Sequence, residues 1–189
     1  ITALAALINA CDFVITTSNV TAHIAGALNK KTYLIAPYTD GRIWYWGIDE
    51  HKSLWYPSIQ ILRSDKVNDW EAPIKNLLDL LDYELQFLIN PDGGHKTRSP
   101  VLQIELLRHL IEIRSVVAIL KNVDAENLHK KTIKMGEFCR SIQMPNGCFS
   151  WFHGGSLVSK NIIKQTLERV GYKNKTFSIA EDTGFCRMS

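Results

Sequence analysis

Phe13-Val14-Ile15-Thr16-Thr17-Ser18-Asn19-Val20-Thr21-Ala22-His23-Ile24-Ala25-Gly26-Ala27 changes its grammar halfway along. Phe13 to Thr17 is a short β-branched and aromatic run, the composition of a buried strand. From Val20 the small and apolar residues recur at helical spacing. Between them stand a hydroxyl and an amide, the residue types that start helices. A strand feeding directly into a capped helix is one half of a βα unit. Outward from it, Ala3 to Ala10 reads as the end of a helix and Thr32 to Ala36 as a second buried strand. Ile59 to Leu62 reads as a third strand, and Trp70 to Leu81 as a closing helix. Short apolar strands separated by helices predict a parallel sheet with helices on its faces. The expectation is half of a doubly wound α/β domain over residues 1–81.

The same stretch carries the sharpest chemistry. In parallel α/β sheets ligands bind at the carboxyl ends of strands. A helix start placed there offers backbone N–H groups and a positive dipole end, which suits a phosphate or diphosphate. Ser18, Asn19 and Thr21 add hydroxyl and amide groups, and His23 adds a charge-assisted bond. Gly26, lacking a Cβ, is expected to let the helix lie close on the sheet. A plain capped helix, with His23 satisfied in the core, fits the spacing as well. The loop from Pro37 to Pro57 holds Trp44, Tyr45, Trp46, Trp55 and Tyr56. Aromatic faces beside a few polar groups are what sugar and base recognition uses; filling the space beneath a long loop is the other reading.

Beyond Leu81 the strand signal all but disappears. Ser99-Pro100 opens a helix with a hydroxyl at the cap and Pro in the first turn. It runs to about Leu120. Leu102, Leu106, Leu110, Ile113, Val117 and Leu120 form one apolar stripe, and Ile104, Leu107 and Ile111 a second, so burial on more than one side is expected. Helices are also expected over Ala125–Ile142 and Ser159–Val170. Two Gly-rich loops feed this array, Asn90-Pro91-Asp92-Gly93-Gly94-His95-Lys96-Thr97-Arg98 and Met144-Pro145-Asn146-Gly147-Cys148-Phe149-Ser150-Trp151-Phe152-His153. His95 and Arg98 suit an acidic group such as a uronate carboxylate, and His153 suits a sugar hydroxyl or a proton relay. Ordinary polar turns between helices are the competing reading. The half is expected to be all-α, with no internal repeat.

Composition sets the outer limits. The chain has 189 residues, 46% apolar and 22% charged, which excludes disordered and collagen-like classes. Net charge is only +3, so nothing calls for nucleic acid as a partner. Through Leu81 there are 7 basic and 8 acidic residues, and from Asp82 onward 15 and 11, a shift that puts a seam near Leu81–Tyr83. The four Cys form no C-x-x-C pair, which reads as reduced thiols in a cytoplasmic setting. No apolar run reaches the ~18 residues of a membrane span. Ile1 stands directly inside an apolar run, and its simplest reading is a position within a larger domain.

Two resemblances add to this. The blocks SNVTAHIAGALNK, GRIWYWG, SLWYPSIQILRS and DWEAPI resemble the C-terminal end of glycosyltransferases of the ADP-heptose transferase superfamily, in the branch associated with tetratricopeptide repeats. That likeness implies a GT-B architecture, of which residues 1–81 would be part of the nucleotide-sugar-binding domain. It implies that Ser18, Asn19, Thr21 and His23 contact the donor diphosphate and that Gly26 is structural. It implies no metal and no cofactor, the nucleotide sugar being a substrate. Residues 84–189, through ELQFLINPDGGHKTRSPVLQIELLRHLIEIR, MPNGCFSWFHGG and TGFCRMS, resemble the heparinase II/III-like family. There the likeness implies part of an (α/α) toroid over residues 82–189, its last strand leading toward a β-sandwich. It also implies polysaccharide lyase chemistry on an acidic polysaccharide, with His95, Arg98 and His153 at matching loop positions. Asn is the residue expected where His153 stands. Taken together, the expectation is a carbohydrate-active fragment or fusion with neither active site complete and the parent domains needed. A non-catalytic nucleotide- or sugar-binding module, or a helical adaptor, is the alternative.

Overall fold

The computed structural model describes residues 1–36, 38, 44–47, 51–64, 66–67, 69–171 and 176–187. The chain forms two compact units, Ile1–Asp79 and Leu80–Ser189.

The first unit is mixed α/β. Its elements are α1 (Thr2–Ala10), β1 (Val14–Thr17), α2 (Val20–Ala27), β2 (Thr32–Ala36), a 3-10 turn at Trp44–Trp46, and β3 (Ile59–Arg63). The strands lie in the order β1-β2-β3, all parallel, with Val14 opposite Thr32 and Thr32 opposite Ile59. β2 is central and almost wholly buried, as its unbroken Thr-Tyr-Leu-Ile-Ala run requires. β1 alternates between half-buried and exposed positions, leaving Ile15 exposed, as an edge strand does among the described residues. The core is Ala22, Leu34, Ala36, Trp46, Ile59 and Ile61, with Tyr45 and Tyr56 packed against it.

Helix α3 (Glu71–Leu85) is continuous through the expected seam at Leu81–Tyr83. Asp69 starts it. One carboxylate oxygen accepts the backbone N–H groups of Glu71 and Ala72, at 3.0 and 3.4 Å, and the other accepts the Ser64 hydroxyl at 2.8 Å. The Ser64 bond, followed by the backbone bonds, holds the Asp69 carboxyl below its usual range.

The second unit packs α4 (Pro100–Val117), α5 (Glu126–Ile142) and α6 (Lys160–Val170) against one another. Ile104, Leu107, Leu110, Ile111, Met135, Phe138, Cys139 and Ile163 are fully buried between them. A methyl group on Gly136 would press on the Val170 side chain at 2.8 Å, so α5 and α6 approach closely there.

Several expectations are corrected here. The unit is not all-α: β4 (Ile179–Ala180) and β5 (Phe185–Cys186) pair antiparallel, and single bridges join Ile89 to His95 and Gln143 to Phe149. The two bridged turns share one hydrogen-bond pattern. Leu102 on α4 is 43% exposed, whereas Gln103 beside it is 1% exposed. An apolar-stripe count puts the wrong residue inside because the buried position needs an amide. Ser99 does precede α4, but its hydroxyl makes no capping bond; its carbonyl accepts the Gln103 N–H at 2.9 Å. Among the described residues, no helix is long and apolar enough to cross a membrane.

Candidate functional site

In the first unit β1 ends at Thr17 and α2 starts at Val20, so Ser18 and Asn19 stand at the carboxyl end of the sheet. Asn19 is the N-cap. Its Oδ1 accepts the Thr21 N–H at 2.8 Å, and its amide donates to the Thr16 hydroxyl at 3.0 Å. Both ends of the Asn19 side chain therefore hold the turn that joins strand to helix. The Ser18 hydroxyl accepts the Trp46 indole N–H at 2.9 Å.

His23 is enclosed by aromatic rings. It stacks on Trp46 with ring centres 5.1 Å apart and meets Tyr45 and Tyr56 edge-on, its Nδ1 standing 3.3 Å from the Tyr56 hydroxyl. A methyl group on Gly26 would overlap the Tyr56 ring. This corrects the expectation that Gly26 admits the sheet: the ring of a residue from the long loop takes that space. Trp46 fills the interior, as the loop-packing reading expects, while Trp55 is 61% exposed. The Trp44 side chain and residues 39–43 of the aromatic block lie outside the description.

Arg63, which residue spacing did not single out, closes this end of the sheet. Its guanidinium donates to the carbonyls of Trp46 and Gly47, tying β3 to the 3-10 turn. Its place at the last residue of β3 was the available signal, since ligand-facing side chains concentrate at strand ends. The assembled surface is a helix start with two small polar side chains, a boxed imidazole and an arginine-held loop. The three described strands run in consecutive order, so the reversal of strand order that forms a dinucleotide crevice is not among them.

In the second unit the predicted residues separate into two settings. His95 is 7% exposed. Its backbone N–H donates to Gln103 Oε1 at 2.6 Å, and its Nδ1 accepts the Thr97 N–H at 3.2 Å with the Thr97 hydroxyl 2.7 Å away. With Nδ1 so engaged, a neutral ring carries its proton on Nε2. Gln103 also donates to the Gly93 and Met135 carbonyls. Arg98 and His153, by contrast, are exposed and both left-handed, with φ of 59° and 48°. Non-glycine residues rarely adopt that conformation, which gathers at turns and functional sites.

Arg98 and His153 flank one junction. The Arg98 guanidinium lies 3.1 Å from where a Gly184 methyl would be, beside β5. Phe152 packs on Phe185 at 4.9 Å and on the His153 ring edge at 5.7 Å, and Gly155 sits against Pro100 at the start of α4. A cavity of about 350 Å³ beside it is lined by Met144, Phe152, Phe177, Phe185 and Arg187. Tyr83 is 53% exposed on α3, and Tyr172 lies outside the described residues.

No protein-family description matches the chain, and no solved structure does. FtsZ-localized protein C of Caulobacter vibrioides is 26% identical over 118 residues, which is 62% of this chain and 20% of that protein. The chain thus spans about a fifth of that relative's length. Because the first unit ends at Asp79, a match of 118 residues takes in part of the second.

Proposed function

We propose that the chain is a carbohydrate-directed protein built from two partial modules. The first is the donor-diphosphate half of a GT-B nucleotide-sugar glycosyltransferase of the ADP-heptose transferase type. The second is a segment of a heparinase II/III-like (α/α) toroid directed at an acidic polysaccharide. The observation that carries the reading is the Asn19-capped start of α2 at the carboxyl end of a parallel sheet. The dipole of α2 favours an anion there, and Ser18 and Thr21 supply hydroxyls. Arg98 and His153, held left-handed around one junction, support the second half of the reading. The aromatic box around His23 gives that residue a packing role and Asn19 is spent on the turn, so the donor is held chiefly by Ser18 and Thr21.

Titration calorimetry of the full chain with ADP and UDP tests this. Binding that weakens in Thr21→Val is expected, and no heat at high nucleotide concentration would discard the donor-site reading. Neither glycosyl transfer nor uronate elimination is expected from the chain alone. Transfer above a His23→Ala control would show the module to be sufficient by itself.

A second reading rests on the relative, whose name places it with FtsZ. Under it the chain is a module of an FtsZ-localised protein. Co-sedimentation with polymerised Caulobacter FtsZ is then expected, and a chain that stays in the supernatant rejects it.

A further inference from the structure

A groove of about 500 Å³ lies within the second unit, away from the residues assigned above except at the first turn. It is lined by Gln86, Ile89, Pro91, Lys96, Lys131 and Lys134, among others. Its three ammonium groups come from two separate parts of the chain: Lys96 follows the first turn, and Lys131 and Lys134 stand on α5. Two are held in place. Lys134 Nζ donates to the Pro91 carbonyl at 3.0 Å, and Lys131 Nζ pairs with Asp82 at 2.8 Å with both side chains only partly exposed. Lys96 lies over the Phe87 ring, 6.0 Å from its centre. Ammonium groups already positioned cost little further ordering when an anion arrives.

We propose that this groove binds the phosphoryl group of a small phosphomonoester. Charge selects that group. The three lysines face one paired carboxylate, leaving an excess of two positive charges. A phosphomonoester carries close to two negative charges at neutral pH, whereas a carboxylate or a sulfate ester carries one. Size argues for a carried group. The volume falls in the range of small-molecule sites and far exceeds a phosphoryl group alone, and Ile89 and Pro91 give the remainder an apolar wall. The proposal concerns the second unit only and does not depend on the donor-site reading.

The test uses the full chain, with phenyl phosphate, inorganic phosphate and phenol as probes, followed by amide chemical-shift titration. Phenyl phosphate is expected to shift amides of the first turn and of α5 near Lys131. It is expected to bind about 10-fold more tightly than inorganic phosphate, because the ring covers apolar wall. Lys131→Gln and Lys96→Gln should each weaken it several-fold. Asp82→Asn should tighten it about 3-fold or more by removing the opposing charge, a gain that a merely destabilised protein would not show. Thr21→Val should leave phenyl phosphate binding unchanged, which separates this groove from the α2 site. The proposal is overturned if phenol binds as well as phenyl phosphate, if inorganic phosphate matches phenyl phosphate, or if Asp82→Asn binds no more tightly.

Discussion

The turns at Asn90–Gly94 and Met144–Cys148 follow the same rules and end in different surroundings. In each, the first residue's N–H donates to the carbonyl four residues on, at 2.8 Å in both, and the glycine N–H returns to the first residue's carbonyl. In each, an Asx side chain accepts an N–H two residues on, Asp92 from Gly94 and Asn146 from Cys148. Gly93 and Gly147 have φ of 88° and 83°. Yet Gly93 and Gly94 are buried, whereas their counterparts Gly147 and Cys148 are only half-buried. Local sequence specifies the turn; what closes over it decides how much the turn is worth.

Three neighbours close over the first turn. Thr183 donates its N–H to Asp92 Oδ2 at 2.7 Å, and its hydroxyl meets Asp92 Oδ1 and the Asn90 amide. Gln103 ties Gly93, His95 and Met135 together, and Phe138 lies against Gly94. The second turn has Gln143, whose amide donates to the Gly147 carbonyl at 3.1 Å.

The sharpest way to break the comparison is Gly94→Ala. The added methyl would overlap the Thr183 hydroxyl and the Phe138 ring, and a loss of about 3 kcal/mol is expected in urea unfolding. Gln103→Leu keeps the volume and strands the Gly93 carbonyl and His95 N–H, for about 2–3 kcal/mol. Gly147→Ala meets the Gln143 amide at 3.9 Å, an ordinary contact, so its cost is the left-handed backbone alone, about 1 kcal/mol. If Gly94→Ala and Gly147→Ala proved equal, the contrast between the turns would fail.

Cys139 reports on the same interior. Burial pushes its thiol up to about 12, opposed by the Gln103 side chain and the Arg140 charge. Above about pH 9 the unfolded chain has lost this proton and the folded protein keeps it, so stability falls as pH rises toward 12. The decline between pH 8 and 10 should be shallower in Cys139→Ala by about 1 kcal/mol. The smallest effect is expected from Asn146→Ala, about 0.5–1 kcal/mol, since water replaces the lost bond at an exposed turn.

These two turns also show where the sequence is legible. Pro-Asp-Gly and Pro-Asn-Gly announce both turns, and the hydroxyl and amide after Thr17 announce the α2 start, because each acts on neighbours a few residues away. The strands of the first unit and the helices of both units lie within a few residues of their expected positions for the same reason. Gln103, Thr183 and Arg63 escape notice because their partners are distant. Gln103 reaches Met135, Thr183 reaches Asp92, and Arg63 reaches Trp46. A lone polar residue carries no periodic signature of such a bond. His95 and Arg98 sit three residues apart in one loop, and only the fold turns one inward and the other out.

The Asp92–Thr183 clasp has a bearing on how the protein is born. It joins residues 91 positions apart, so nearly the whole second unit must leave the ribosome before its first turn is sealed. The three described parallel strands, of which β3 ends at Arg63, are synthesised long before. Vectorial synthesis then yields an early-maturing head and a tail whose helices wait, partly open, for a late arrival. In that interval Phe138 and Gly94 lie uncovered, a window in which chaperones or proteases find their grip.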